Sequence, residues 1–275
     1  MVRFKSLLLI TLIWVDINVF AQNDLLQLGA ENLSMGNSYL FQENAFSGKR
    51  NPYTIPYLKR KQIGISVQNN YLLKELSSGL ISLAVPIKQF GFGLHFQHFG
   101  SNNYNIQTIG MSSAIQINKQ FSFGIGADYE SLNVSNYGRN NLIKIHGGMM
   151  INLSKSLKMA LHVYNPLNNY NQQLVTSFNN EEYSFGIQYK PNDVFNLNIE
   201  SYMFQNIIDV KFGANYIYKK QFFFRVGVSV YNPMFSFGIG FKFKERSNID
   251  LASSVHPRLG VVNNFTYSYE MGKEL

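Results

Sequence analysis

Five histidines and no cysteine set the range of chemistry open to this 275-residue chain. Without thiols, a disulfide scaffold and a thiolate metal centre are both excluded. His95 and His98 lie three apart, which on an extended chain sends them to opposite faces, so they cannot chelate one metal. His146 and His162 fall on the same face of neighbouring predicted strands and can approach each other. No zinc-type ligand spacing accompanies them, so they read as histidines hydrogen-bonded to polar neighbours. No Asn-His-Ser pattern and no paired carboxylates stand out, which argues against a hydrolase. The Gly-x-Gly pieces lie inside strands with no helix following, so they do not cradle phosphate. The chain therefore reads as non-enzymatic, with no metal and no cofactor.

The elements that carry these side chains are strands. Phe90-Gly91-Phe92-Gly93-Leu94-His95-Phe96 returns as Phe121-Ser122-Phe123-Gly124-Ile125-Gly126-Ala127, and again over Tyr183–Tyr189 and Phe235–Phe241. Each copy alternates a large apolar residue with a small or polar one, the period of a strand. Fourteen such runs fit between Gln62 and Tyr269: 62–73, 79–87, 90–98, 105–117, 120–131, 141–153, 156–164, 181–190, 194–204, 208–218, 221–231, 234–243, 248–256 and 259–270. Their connections alternate between very short polar turns, such as Lys88-Gln89 and Lys119-Gln120, and more variable Asn-rich ones, the longest from Asn165 to Asn180. A membrane barrel has this asymmetry between its rims; a soluble sandwich has no reason for it.

The two faces of the runs differ in chemistry. One parity is apolar throughout, including Leu94, Ile125, Leu161, Ile199, Val226 and Ile239. The other collects Asp128, Lys144, His146, Lys158, His162, Glu200, Lys211 and Arg225 with many Gly and Ser. A Lys or Arg on a lipid face at the bilayer midplane costs about 2–4 kcal/mol. Keeping charge to one parity avoids that cost, which assigns these eight to the lumen. Aromatics gather at strand ends: Phe90, Phe121, Tyr189, Tyr218, Phe222 and Phe243 beside the short turns, and Tyr129, Tyr164, Tyr183 and Tyr231 near the other rim. They read as two interfacial girdles. The fold class is all-β: a closed antiparallel transmembrane β-barrel of about 14 strands with an N-terminal plug segment, spanning outer-membrane lipid.

Composition agrees. The chain has 23 Phe, 17 Tyr and 1 Trp against 24 basic and 16 acidic residues, far from the signature of disorder. Residues 1–21 read as a signal peptide: Arg3 and Lys5, an apolar run from Leu7 to Val15, then Val19-Phe20-Ala21. The formal net charge of +8 is too dilute for nucleic acid. Lys59-Arg60-Lys61 is the one basic run, and a solvated turn accounts for it. Three parts result: 1–21 leader, 22–61 plug, 62–275 barrel.

Residues 22–61 do not alternate. Gly29-Ala30-Glu31 with Leu33-Ser34-Met35-Gly36-Asn37-Ser38-Tyr39, then Glu43-Asn44-Ala45, then Asn51-Pro52, resembles the N-terminal region of the FadL/PorV superfamily of outer-membrane barrels of proteobacteria and Bacteroidota. In that family an acidic-Ala segment and an Asn-Pro-Ala-Gly turn follow a Leu-Gly-Asn-Ala-Tyr stretch; here Tyr53-Thr54 replace Ala-Gly. The resemblance implies fourteen strands and a segment folded into the lumen. Gly29 and Gly36 would supply tight turns. Glu31 and Glu43 are then expected to pair with wall cations.

The family divides into channels for hydrophobic solutes and PorV-like partners of the type IX secretion machinery. With external loops this short, the chain looks nearer the small PorV/PorQ-like members of Bacteroidota. The expectation is a non-enzymatic partner or carrier of other envelope or secretion proteins in a Gram-negative outer membrane, its N-terminus periplasmic. The alternative is a FadL-like passive channel binding small apolar ligands. An outer-membrane hydrolase comes third.

Overall fold

The structure is a computed structural model, and it describes residues 29–166, 181–204, 207–244 and 246–272. The leader expected over residues 1–21 lies outside the described residues, as does most of the long connection after Asn165.

Fourteen strands follow one another in order: β1 (Lys61–Asn70), β2 (Ser77–Ile87), β3 (Phe90–Gly100), β4 (Tyr104–Gln116), β5 (Phe121–Val134), β6 (Gly138–Asn152) and β7 (Leu157–Tyr164). The second half comprises β8 (Glu182–Asn192), β9 (Phe195–Phe204), β10 (Ile207–Tyr218), β11 (Phe222–Ser229), β12 (Met234–Phe243), β13 (Ser247–His256) and β14 (Gly260–Met271). Each pairs antiparallel with its sequence neighbours, and β1 closes on β14 in register from Lys61↔Met271 to Asn70↔Val262. The sheet is a closed barrel with no free edge, so every strand satisfies its backbone groups from both sides. Among the described residues no helix is long and apolar enough to cross a membrane.

Alternation along the strands sorts the side chains as the parity predicted. Ile239, Leu251, Ile125 and Leu94 point outward and stand about half exposed, at 55%, 49%, 51% and 54%. At the other parity, Asp128 of β5, His146 of β6, Lys211 of β10 and Arg225 of β11 are buried inside. So large a continuous apolar exterior is untenable in water and fits a hydrocarbon solvent. The structure corrects two details of the reading. The first strand stops at Asn70 instead of running to 73, because Tyr71 and Leu72 adopt left-handed φ values of 58° and 59° and turn the chain. Tyr164 is not a girdle residue: it has the inward parity of β7 and is only 4% exposed.

Ahead of β1 run α1 (Ala30–Ser34), α2 (Ser47–Arg50) and a 3-10 turn over Pro52–Tyr57. Nearly every residue from Gly29 to Leu58 is buried. The inner wall is cut to receive this segment through glycines. A Cβ on Gly91 would stand 2.7 Å from Ile55 Cβ, one on Gly124 2.6 Å from the Tyr53 nitrogen, and one on Gly213 2.9 Å from Met35 Cβ. On Gly227 it would fall against the Met35–Gly36 backbone itself. Glycine at these inward strand positions lets two backbones approach where any side chain would separate them.

Candidate functional site: the lumen

The segment meets the wall through polar anchors as well as packing. Glu200 of β9, fully buried, accepts hydrogen bonds at Oε2 from Ser38 Oγ (2.9 Å), the Tyr39 N–H (2.9 Å) and the Leu40 N–H (3.2 Å). Three donors on Oε2 help hold this buried carboxylate, and Lys211 stands directly opposite it across the β9–β10 pair. The Tyr39 hydroxyl lies 2.7 Å from Ser184 Oγ and 3.4 Å from His162 Nδ1. His162 Nε2 in turn lies 3.2 Å from His146 Nδ1, so the two histidines do meet, in a hydrogen-bonded chain. Among the described residues no three His, Asp or Glu side chains converge to hold a metal.

Higher on the same side, Arg50 places its guanidinium 2.7 Å from Glu182 and 3.5 Å above the Tyr164 ring. The Tyr164 hydroxyl donates to Asp128 (2.9 Å), whose other oxygen is 3.3 Å from His95 Nε2. Lys49 bonds Gln97, while Lys144 pairs with Glu130 at 2.9 Å. Lys211 donates to the Asn37 carbonyl (3.3 Å) and sits 4.4 Å from the Tyr202 ring centroid.

Burial acts on the charges of the segment. It pushes the Tyr39 hydroxyl well above its ordinary value, with Glu200 adding to the shift, and does the same to Tyr53. It lowers Lys49 to about 7, helped by the neighbouring Arg50 charge. Burial opposes the Arg50 charge most strongly of any one influence, yet Glu182 with Tyr164, Tyr39 and Tyr202 together outweigh it and hold the guanidinium above its usual value.

The remaining residues singled out from sequence are spread through the lumen. Glu31 lies 3.8 Å from Arg225, which also binds Asp250 at 2.6 Å. Glu43 lies 2.8 Å from Lys158. Gly29 and Gly36 adopt φ of 97° and 69°. Asn51 donates from Nδ2 to the Gln42 carbonyl (2.6 Å), and Pro52 follows as the first residue of the 3-10 turn, where its missing N–H costs nothing. Sequence reasoning missed Arg50, Lys49, Glu182 and the inward role of Tyr164. Parity could have found Tyr164; a Lys-Arg pair in a non-periodic stretch gave no signal of burial.

Two cavities open along β11, β13, β14 and β1. A mouth of about 710 Å³ at the short-turn rim is lined by Lys59, Arg60, Lys219, Lys220, Lys242 and Glu270 among others. It shares Glu43, Gln62 and Glu270 with a chamber of about 190 Å³ that reaches Ala30, Arg225 and Thr266. Beyond the chamber stands α1, its Ala30 and Leu33 packed on Met234, Ala252 and Val262 of the wall.

No protein-family model and no curated protein matches the chain. Solved structures do. The Ralstonia pickettii toluene transporter TbuX superposes with a TM-score of 0.70 at 12% identity, over 89% of this chain and 98% of that one. The monoaromatic hydrocarbon channel CymD gives 0.66 at 14% identity, over 90% and 98%. The P. putida toluene transporter TodX gives 0.65 at 12% identity, over 90% and 99%. At such identities the likeness is one of fold. It is the FadL-like barrel fold that the N-terminal motif implied.

Proposed function

We propose that the protein is an outer-membrane channel for small hydrophobic solutes whose lumen is stoppered by residues 29–60. This departs from the carrier reading that the short loops suggested, and it takes up its alternative. The observation that carries it is the fit between segment and wall: glycines on the inner face leave room for the segment's backbone, and buried polar groups hold it there. A lumen shaped around an internal segment is the arrangement a gated pore requires. Support also comes from the shared fold with proteins named as toluene transporters and a monoaromatic hydrocarbon channel. The solute path runs along β11–β14, where the mouth and chamber lead to α1 and its apolar packing on Met234, Ala252 and Val262 bars the way. Monoaromatic hydrocarbons are the substrate class to test first. Cells producing the protein in their outer membrane should take up labelled toluene at low concentration faster than cells without it; equal rates would refute the channel.

A second reading keeps one specific observation. Several connections on the long-loop side are only three residues, such as 101–103 and 257–259, too short to build an outer ligand groove. That favours association with other envelope proteins, including a type IX secretion apparatus of Bacteroidota with a PorV-like component. Recovery of a defined envelope partner from crosslinked native membranes, together with unchanged toluene uptake, would select it.

A further inference from the structure

The two rims differ in charge. Each short connection carries a lysine in the turn or at the strand end beside it: Lys88, Lys119, Lys155, Lys190, the pair Lys219–Lys220, and Lys244. All but Lys190 are exposed. Among the described residues only Lys190 of this set meets a carboxylate, Asp193 at 3.6 Å. The connections and strand ends of the opposite rim show Lys74, Arg139 and Arg258, with Glu75 and Glu181 beside them.

The backbone makes this distribution informative. Lys88, Lys219, Lys220 and Lys244 stand at φ of 54°, 51°, 57° and 46°. A left-handed turn position favours Gly, Asn or Asp and disfavours a long L side chain. The opposite rim mostly follows that preference, with Gly100, Asn136, Gly138, Asn165 and Gly260 at positive φ and Tyr71 and Leu72 as exceptions. At four positions of the short-turn rim lysine stands where the backbone favours another residue. Turn formation does not explain it; a use for the charge does.

The position of the charges identifies what they meet. Lys219 Nζ lies 5.3 Å from the Tyr218 ring centroid and Lys244 Nζ 5.1 Å from that of Phe243, both exposed girdle aromatics. Such rings lie at headgroup depth, so the ammonium groups beside them stand at the phosphate plane of the bilayer. The lysines also run right round the barrel, one or more per hairpin. A folded partner protein would cover an arc of the rim; the lipid leaflet alone surrounds all of it. From this placement we infer that the short-turn rim is a lipid-binding surface, a ring of ammonium groups that retains anionic phospholipid headgroups of the leaflet on that side. Lysine suits the task, being a compact charge with three donors on a flexible stem.

The test uses the full-length protein in phosphatidylcholine bilayers with spin-labelled phosphatidylglycerol or phosphatidylcholine as probe. Boundary association should favour phosphatidylglycerol by about threefold, as expected of a cation cluster at a membrane surface. Replacing Lys88, Lys119, Lys155, Lys219, Lys220 and Lys244 by Gln should bring the ratio to about one, whereas Lys74→Gln with Arg139→Gln and Arg258→Gln should leave it unchanged. A salt series on the unaltered protein needs no variant to fold. Raising ionic strength from about 0.1 to about 1 M shortens the screening length from about 10 to about 3 Å and should abolish most of the preference. An unaltered protein with no preference, a preference indifferent to salt, a six-lysine variant that keeps it, or an opposite-rim variant that loses it would each overturn the assignment.

Discussion

Arg50, carried by a four-residue helix of the N-terminal segment, places Nη1 2.7 Å from Glu182 Oε2 at the start of β8. The two side chains are 132 residues apart in sequence and almost fully enclosed, and the guanidinium is further covered by the Tyr164 ring. Through this contact the segment is tied to the wall at the end of β8 away from the short turns.

Removing one partner of an enclosed ion pair strands the other charge, at a cost of about 3–5 kcal/mol. Arg50→Met and Glu182→Gln should therefore each lower the thermal unfolding midpoint in detergent. The double variant Arg50→Met with Glu182→Met should lose clearly less than the sum, because no charge is left without its partner. Additive losses would show that the two residues act independently.

The glycines of the wall divide into tight and free positions. Gly124→Ala would bring a methyl group to 2.6 Å from the Tyr53 nitrogen, whereas a Cβ at Gly79 meets nothing within 4 Å. Overpacking of this kind costs about 1–3 kcal/mol. Chemical denaturation should show that loss for Gly124→Ala and little change for Gly79→Ala. Equal behaviour would mean that the segment does not press on the wall.

Charge on the lipid face gives a third comparison. Ile239→Arg should reduce assembly into liposomes, at a cost of about 2–4 kcal/mol. Asn248→Arg, facing the water-accessible chamber, should assemble normally. Gly240 would serve poorly as the inward control, because a side chain there falls against Asp250 beside Arg225. Equal yields of the two arginine variants would contradict the assignment of faces.

Lys49 introduces a pH dependence. Its ordinary pKa of 10.5 falls to about 7 in the folded chain. Between those values the unfolded chain binds the extra proton, so stability rises with pH by up to about 1.4 kcal/mol per unit. Below about 7 the contribution is constant. Thermal melts from pH 7 to 10 should therefore rise more steeply for the unaltered protein than for Lys49→Met. Parallel slopes would show that Lys49 stays charged in its pocket.

Much of the barrel was legible because two solvents act on its two faces. A strand such as Phe235-Ser236-Phe237-Gly238-Ile239 must present apolar groups to lipid and something else to the lumen, and a period of two records that demand. The lumen was legible only in part. Asp128, Glu200 and Arg225 announced themselves as charges of inward parity, but their partners come from remote or non-periodic parts of the chain. Ser38 and two backbone amides donate to Glu200 Oε2, and no spacing encodes such a bond. Gly124 and Gly213 carry no chemistry that sequence alone would mark, yet in the structure they are contact surfaces for Tyr53 and Met35. The short turns read from sequence only as polar, since sequence does not reveal that Lys219 and Lys220 occupy left-handed backbone.

The central claim, that residues 29–60 close an otherwise open barrel, is tested most directly by conductance in planar bilayers. The full-length protein and a variant lacking residues 30–50 would be compared, each first shown to be folded by heat-modifiable migration. The full-length protein should be nearly silent, and the variant should carry a steady current through a lumen lined by Gly, Ser and charged side chains. Large steady conductance from the full-length protein, or silence from a folded variant, would contradict the claim.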